Sequence, residues 1–203
     1  MTAPREYRAP IGEARAELKE KGSRFIARLR PVRDEEEAGA VLVELGRTYR
    51  DATHLCWAWR LGSPPRERSS DAGEPHGTAG RPMLQVLRGG ELSDVVAVVA
   101  RWFGGVKLGK GGLARAYSGA VRAALTELAS EVRRPTVGIG IEAPFDRLGA
   151  VRRLVRPPQV TIEQESYGET ARLVLRVERS HETELREALA GLGIEIAARP
   201  VGG

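Results

Sequence analysis

The sequence predicts an α+β protein of two domains: an α/β sandwich over residues 1–136 and a smaller domain over residues 137–203. Three observations carry this. An apolar run, Val95–Ala100, leads through a glycine-rich stretch into an alanine-rich helical pattern, which is strand, turn and helix in succession. The last third of the chain alternates short apolar strands with two helical stretches in the order βαββαβ, a ferredoxin-like sandwich. Between the two lies Arg133-Arg-Pro-Thr136, which reads as a connector.

Taken in order, Ala14–Leu18 and Arg24–Leu29 alternate around the turn residues Lys19–Ser23, as a hairpin does. Asp34 is placed to cap a helix from Glu35 to Tyr49. Three glutamates in its first turn complement the helix dipole, and Ala38, Val41, Leu42 and Leu45 form an apolar stripe. His54–Leu61 reads as a strand, and Gly62–Glu67, with Pro64 and Pro65, as a mobile loop. Thr78 is expected to cap a short helix through Leu87, with Pro82 tolerated in its first turn and Gly89-Gly90 ending it. A helix from Leu113 to about Ser130 completes the first domain. In the second, the expected elements are strand Val137–Glu142, helix Phe145–Val155, strands Val160–Gln164 and Ala171–Val177, helix Glu182–Leu192 and strand Ile194–Ala198. Arg172, Val174 and Arg176 share one strand face against Leu173, Leu175 and Val177 on the other. These strands lack the aromatic pattern of an RNA-recognition sheet.

The longest strongly apolar run, about six residues, is far short of the roughly 20 that cross a bilayer, so no membrane partner is expected. Met1–Arg8 has no apolar signal core, and the single cysteine, Cys56, allows no internal disulfide; both point to the cytoplasm. Leu55 and Trp57 flank Cys56, which reads as a buried core thiol. Residues 1–137 carry 23 Lys+Arg against 17 Asp+Glu, and residues 138–203 carry 9 against 10. The basic excess therefore belongs wholly to the first domain, a modest surplus compatible with RNA or phosphorylated ligands. Only four of the 32 basic residues are lysine: Lys19, Lys21, Lys107 and Lys110.

Two loops concentrate the chemistry. In the second, Gly104-x4-Gly109-Lys110 nearly completes a nucleotide phosphate-binding pattern, but Gly111 stands where a magnesium-binding hydroxyl belongs. As a general phosphate cradle the stretch is better suited. The amides of Gly104, Gly105, Gly109, Gly111 and Gly112, the ammonium groups of Lys107 and Lys110, and the guanidinium groups of Arg101 and Arg115 form a candidate anion or nucleic-acid site at a helix start. The alternative is that the glycines simply let the strand turn tightly against the helix. Trp102 and Phe103 read as core anchors, with base stacking as the alternative if Trp102 is exposed. In the first loop, Ser70, Asp71, Glu74, His76 and Thr78 are expected to shape the same cleft through hydrogen bonds to the backbone. Asp71 or Glu74 is expected to pair with Arg101 or Arg115 and join the loops. No metal site and no cofactor are expected, since Asp71, Glu74 and His76 lack a second cluster of ligands.

The stretches Ala52–Arg60, Ser69–Pro82 and Arg101–Tyr117 resemble the YigZ/IMPACT family, and the resemblance extends plausibly over the whole chain. The family has a second acid where Ala72 stands, a small residue at His76, and Thr where Ala100 and Lys110 stand. The resemblance implies a first domain similar to the second domain of a ribosomal small-subunit protein, a fold shared with ribonuclease P protein, elongation factor G and small-molecule kinases. It implies a second domain similar to the last domain of that elongation factor. Eukaryotic relatives act in translational control, competing for an activator of an initiation-factor kinase. Three functions follow as expectations: a non-enzymatic RNA- or ribosome-associated protein linked to translation, an enzyme on a phosphorylated small molecule with Asp71 or Glu74 as general base, or a protein–protein regulator.

Overall fold

The computed structural model describes residues 6–197, and the chain divides into two compact units, Met1–Arg133 and Arg134–Gly203. The first unit runs β1 (Tyr7–Pro10), β2 (Ala14–Glu20), β3 (Ser23–Pro31), α1 (Glu35–Thr48), β4 (His54–Leu61), β5 (Arg66–Ser70), α2 (Gly80–Gly89), β6 (Val95–Trp102), α3 (Gly109–Thr126) and β7 (Ser130–Arg133). Five strands form one antiparallel sheet in the order β2-β3-β6-β4-β5. β6 takes the centre because its residues Val95–Arg101 are all buried, which requires cover on both faces. Val96 and Val98 pack with Trp59, Ala38 and Leu45 under α1. Val95, Ala97 and Val99 point the other way, into a core with Met83 and Leu87 of α2 and Tyr117 and Val121 of α3.

The expected hairpin is present, with Lys21 and Gly22 at its turn. Asp34 caps α1, its side chain accepting from the Glu37 N–H at 2.8 Å. Three expectations change. The segment read as a mobile loop is partly strand: Arg66–Ser70 pairs with β4, held by backbone hydrogen bonds rather than by an apolar pattern. Thr78 does not cap α2; its hydroxyl donates to the Pro75 carbonyl at 2.6 Å. The α3 helix starts at Gly109, so the glycines 109, 111 and 112 are its first turn, and it ends at Thr126, after which Ser130–Arg133 pairs with β1.

The second unit runs β8 (Thr136–Ala143), α4 (Phe145–Leu154), β9 (Val160–Tyr167), β10 (Ala171–Glu178), α5 (Glu182–Gly191) and β11 (Glu195–Ile196), with a single 3-10 turn at Arg179–His181. Its sheet order, β11-β8-β10-β9, all antiparallel, is that of a ferredoxin-like sandwich. Ile139, Ile141, Leu173 and Leu175 bury against Val151 of α4 and Leu185 and Leu189 of α5. Arg172 and Arg176 stay exposed on the other face. Of the expected last strand, Ala198 lies outside the described residues.

All three tryptophans, Trp57, Trp59 and Trp102, belong to the first unit, so their fluorescence reports its unfolding alone. Replacing the cap, Asp34→Ala, should lower its stability by about 1 kcal/mol in urea unfolding followed at tryptophan.

Candidate functional site

Arg101 ends the buried part of β6, opposite Phe25 of β3 on one side and His54 of β4 on the other. Its side chain is 6% exposed and pairs with Glu74, itself 3% exposed, at 2.6 Å. Glu74 Oε1 also accepts from the Tyr117 hydroxyl at 2.7 Å. A second arm of the guanidinium reaches Ser23 Oγ at 3.4 Å, and that oxygen accepts from the Gly104 N–H at 3.2 Å. Phe25 meets Tyr117 edge to face at 5.2 Å. One buried cluster thus joins the first loop, β3, β6, the second loop and α3. Arg101 Nε is buried within it without a hydrogen-bond partner.

The first loop is folded around Asp71. Its carboxylate accepts from the N–H groups of Gly77, Ala79 and Gly80 at 2.8–2.9 Å and so caps α2, the role expected of Thr78. Burial acts to raise the Asp71 pKa, but these three donors outweigh it and hold the carboxyl below its usual 3.8. Ser70 Oγ accepts from the Ala72 N–H, and the His76 side chain is 99% exposed, 3.8 Å from Asp71. Cys56 is buried, its thiol donating to the Asp71 carbonyl at 2.9 Å. Burial pushes that thiol up to about 12 and raises the Tyr117 phenol far above its usual range.

Between the loops lies a cavity of about 460 Å³. Glu74, Arg101, Lys107, Gly109 and Lys110 line it, together with Thr53, His54, Pro75, Phe103, Leu108 and Leu113. Gly104, Gly105, Gly111, Gly112, Ser70, Asp71, His76 and Thr78 do not, and Arg115 lines a separate cavity of about 490 Å³ between α2 and α3. Lys107 and Lys110 are exposed at the mouth. The first turn of α3 has no side-chain cap and no acidic residue, so its N–H groups and the positive end of the helix dipole face this region unopposed. His54 Nδ1 is 3.0 Å from the Ala72 carbonyl, a contact that places the proton on Nδ1. Among the described residues no three His, Cys, Asp or Glu side chains converge to hold a metal ion.

Two readings of the second loop change. Phe103 is 47% exposed rather than a core anchor, because β6 ends at Trp102 and the chain leaves the sheet there. Trp102 is half-buried on the α1 side, with Arg24 stacked on its ring at 4.1 Å. Gly104 serves packing: a β-carbon there would lie 1.9 Å from the Gly22 carbonyl carbon. Thr53 and His54 were not legible as site residues, and Phe103 was legible only as a companion to Trp102. They reach the cavity through the β4–β6 register and the end of β6, which nothing in the local sequence announces.

The family model for the Impact N-terminal domain matches residues 21–125, just over half of the chain. The chain belongs to the IMPACT family. The cavity of this IMPACT protein lies wholly within the matched region, and residues 141–192 match a domain of unknown function, DUF1949. An IMPACT family member from Haemophilus influenzae is 34% identical over 193 residues, covering 92% of this chain and 94% of its own. The Saccharomyces cerevisiae protein named Protein IMPACT homolog is 35% identical over 98 residues, 45% of this chain and 37% of its own. A crystal structure of a hypothetical protein matches 97% of this chain and 98% of its own at 29% identity and a TM-score of 0.71. No helix among the described residues is long and apolar enough to cross a membrane.

Replacing Glu74 with Ala strands a buried guanidinium, so Glu74→Ala should destabilise the first unit by roughly 3–5 kcal/mol in urea unfolding at tryptophan. The folded state holds Cys56 as the neutral thiol. Its contribution to stability is therefore complete below pH 9.0, the ordinary thiol value, and is lost as pH rises towards about 12. At pH 8 a thiol reagent should label Cys56 only as fast as the first unit unfolds.

Proposed function

We propose that this IMPACT protein is a cytoplasmic, translation-linked protein that contacts RNA or ribosomal phosphates at the cavity between its two loops. The observation that carries this is the mouth of that cavity: exposed Lys107 and Lys110 beside the uncapped start of α3, with Phe103 alongside. Free ammonium groups and helix N–H groups suit phosphate oxygens, and an exposed ring suits a base. The link to translation rests on the family, whose eukaryotic members the resemblance places in translational control.

Arg101 contributes through Glu74 rather than as a free cation, and Arg115 lies away from the cavity. In this proposal Lys107, Lys110, Gly109 and Phe103 meet the ligand, while Glu74 and Arg101 hold the two loops in place. The enzyme alternative with Asp71 or Glu74 as general base needs one of those carboxylates to be available. Glu74 is committed to Arg101 and Tyr117, and Asp71 to three backbone donors. A protein partner is the second reading, favoured by the exposed apolar side chains of Phe103 and Val106.

Binding of single-stranded RNA should weaken with salt. In Lys107→Ala/Lys110→Ala the logarithmic salt slope should fall by about 1.4, two phosphate contacts' worth, as read by fluorescence anisotropy. Wild-type affinity that is absent, or indifferent to both substitutions, removes the RNA reading and favours a protein partner.

A further inference from the structure

Twenty-eight of the 32 basic residues are arginine, and the four lysines fall in two pairs, Lys19 with Lys21 and Lys107 with Lys110. The fold brings these pairs to one end of the five-stranded sheet. Lys19 near the end of β2 and Lys21 in the β2–β3 turn lie together, and the backbone of that turn at Gly22 touches Gly104 of the second loop. Gly104 also donates its N–H to Ser23 Oγ, and a β-carbon at Gly105 would meet nothing within 4 Å. Where the two loops meet, glycine backbone forms a low saddle.

On the α1 side of this saddle, register places Lys19, Arg24 and Trp102 side by side across three strands. Arg24 lies on the Trp102 ring at 4.1 Å. The ring is fixed by its indole N–H to Asp51 at 3.0 Å and by the edge of Tyr49 at 5.8 Å. A guanidinium seated over an indole offers a nucleobase a platform to stack on. The charges are also free. Arg28, Arg60, Arg88 and Arg101 are each drawn into an ion pair with a glutamate. Among the described residues, none of the four lysines nor Arg24 has an ion-pair partner. Glu17, on the same strand face, leans to Arg15 at 3.5 Å. An ammonium is a compact point charge that does not form the two-pronged carboxylate pairs that occupy those four arginines, so it stays available for phosphate.

We propose that the RNA site extends beyond the cavity: a single strand leaves Lys107 and Lys110, crosses the Gly22–Gly104 saddle past Lys21 and Lys19, and stacks a base on the Arg24–Trp102 plane. This rests on the RNA reading of the cavity and adds to it a second contact surface, on the opposite side of the sheet.

The test is binding of a fluorescein-labelled oligouridine of about 12 nucleotides, a length one small fold can span, at several salt concentrations. Lys19→Ala/Lys21→Ala, at the exposed end of β2 and in the turn after it, should lower the salt slope by about 1.4. Arg24→Lys keeps the charge and loses the plane, so it should weaken binding about tenfold with the slope unchanged. Urea unfolding at tryptophan accompanies each variant to show an intact first unit. If both variants bind as wild type while Lys107→Ala/Lys110→Ala is impaired, the strand ends at the cavity; the extension is overturned and the cavity reading stands. If wild type does not bind, both are overturned.

Discussion

The ion pair of Arg101 with Glu74 ties the first loop to β6, and through Ser23 and Tyr117 to β3, the second loop and α3. Both side chains are almost wholly withdrawn from water, and such a pair is favoured where most of the remaining polar atoms find partners; only Arg101 Nε is left without one. Here Tyr117 satisfies the carboxylate and Ser23 a further arm of the guanidinium. Because the four residues come from the first loop, β6, β3 and α3, the first loop's position and the start of the glycine loop are set by one electrostatic arrangement. Replacing the pair with apolar residues could serve stability as well. What it would lose is the directional tie between a loop and a strand end.

That tie divides the labour among residues that look alike in sequence. Asp71 and Glu74 are both loop acids, yet one orders backbone donors at the start of α2 and the other neutralises an arginine. Among the basic groups, Arg101 is buried and matched while Lys107 and Lys110 are left in water. The glycines divide likewise. Gly104 is glycine because another backbone lies against it, whereas Gly109 begins a helix whose N–H groups are uncapped. The same stretch therefore holds a tight turn at one residue and an uncapped helix start at another.

How much of this was legible follows from the range of each signal. The capping of α1 by Asp34, the hairpin at Lys21-Gly22 and the βαββαβ order are written in residues close along the chain, and the structure has them. β5 was missed because Arg66–Ser70 is a polar edge strand whose only reason for being extended is its neighbour β4. Thr78 is the local candidate for the cap because hydroxyl residues often hold it. The actual cap, Asp71, comes from eight and nine residues upstream of the donors it meets, through a loop whose path no local preference describes.

By itself the sequence determined the fold class, the two-part division of the chain, the concentration of positive charge in the first part and the two loops where chemistry gathers. These depend on composition, on periods of two and 3.6 residues, and on turn-forming residues, all of them short-range properties. Only the tertiary structure decided which charges are spent on one another and which remain free, that Thr53, His54 and Phe103 share a cavity with Lys107, and that four lysines scattered over more than eighty positions meet at one end of a sheet. Strand order and register make those choices, and they arise from the joint burial of many distant residues rather than from any one segment.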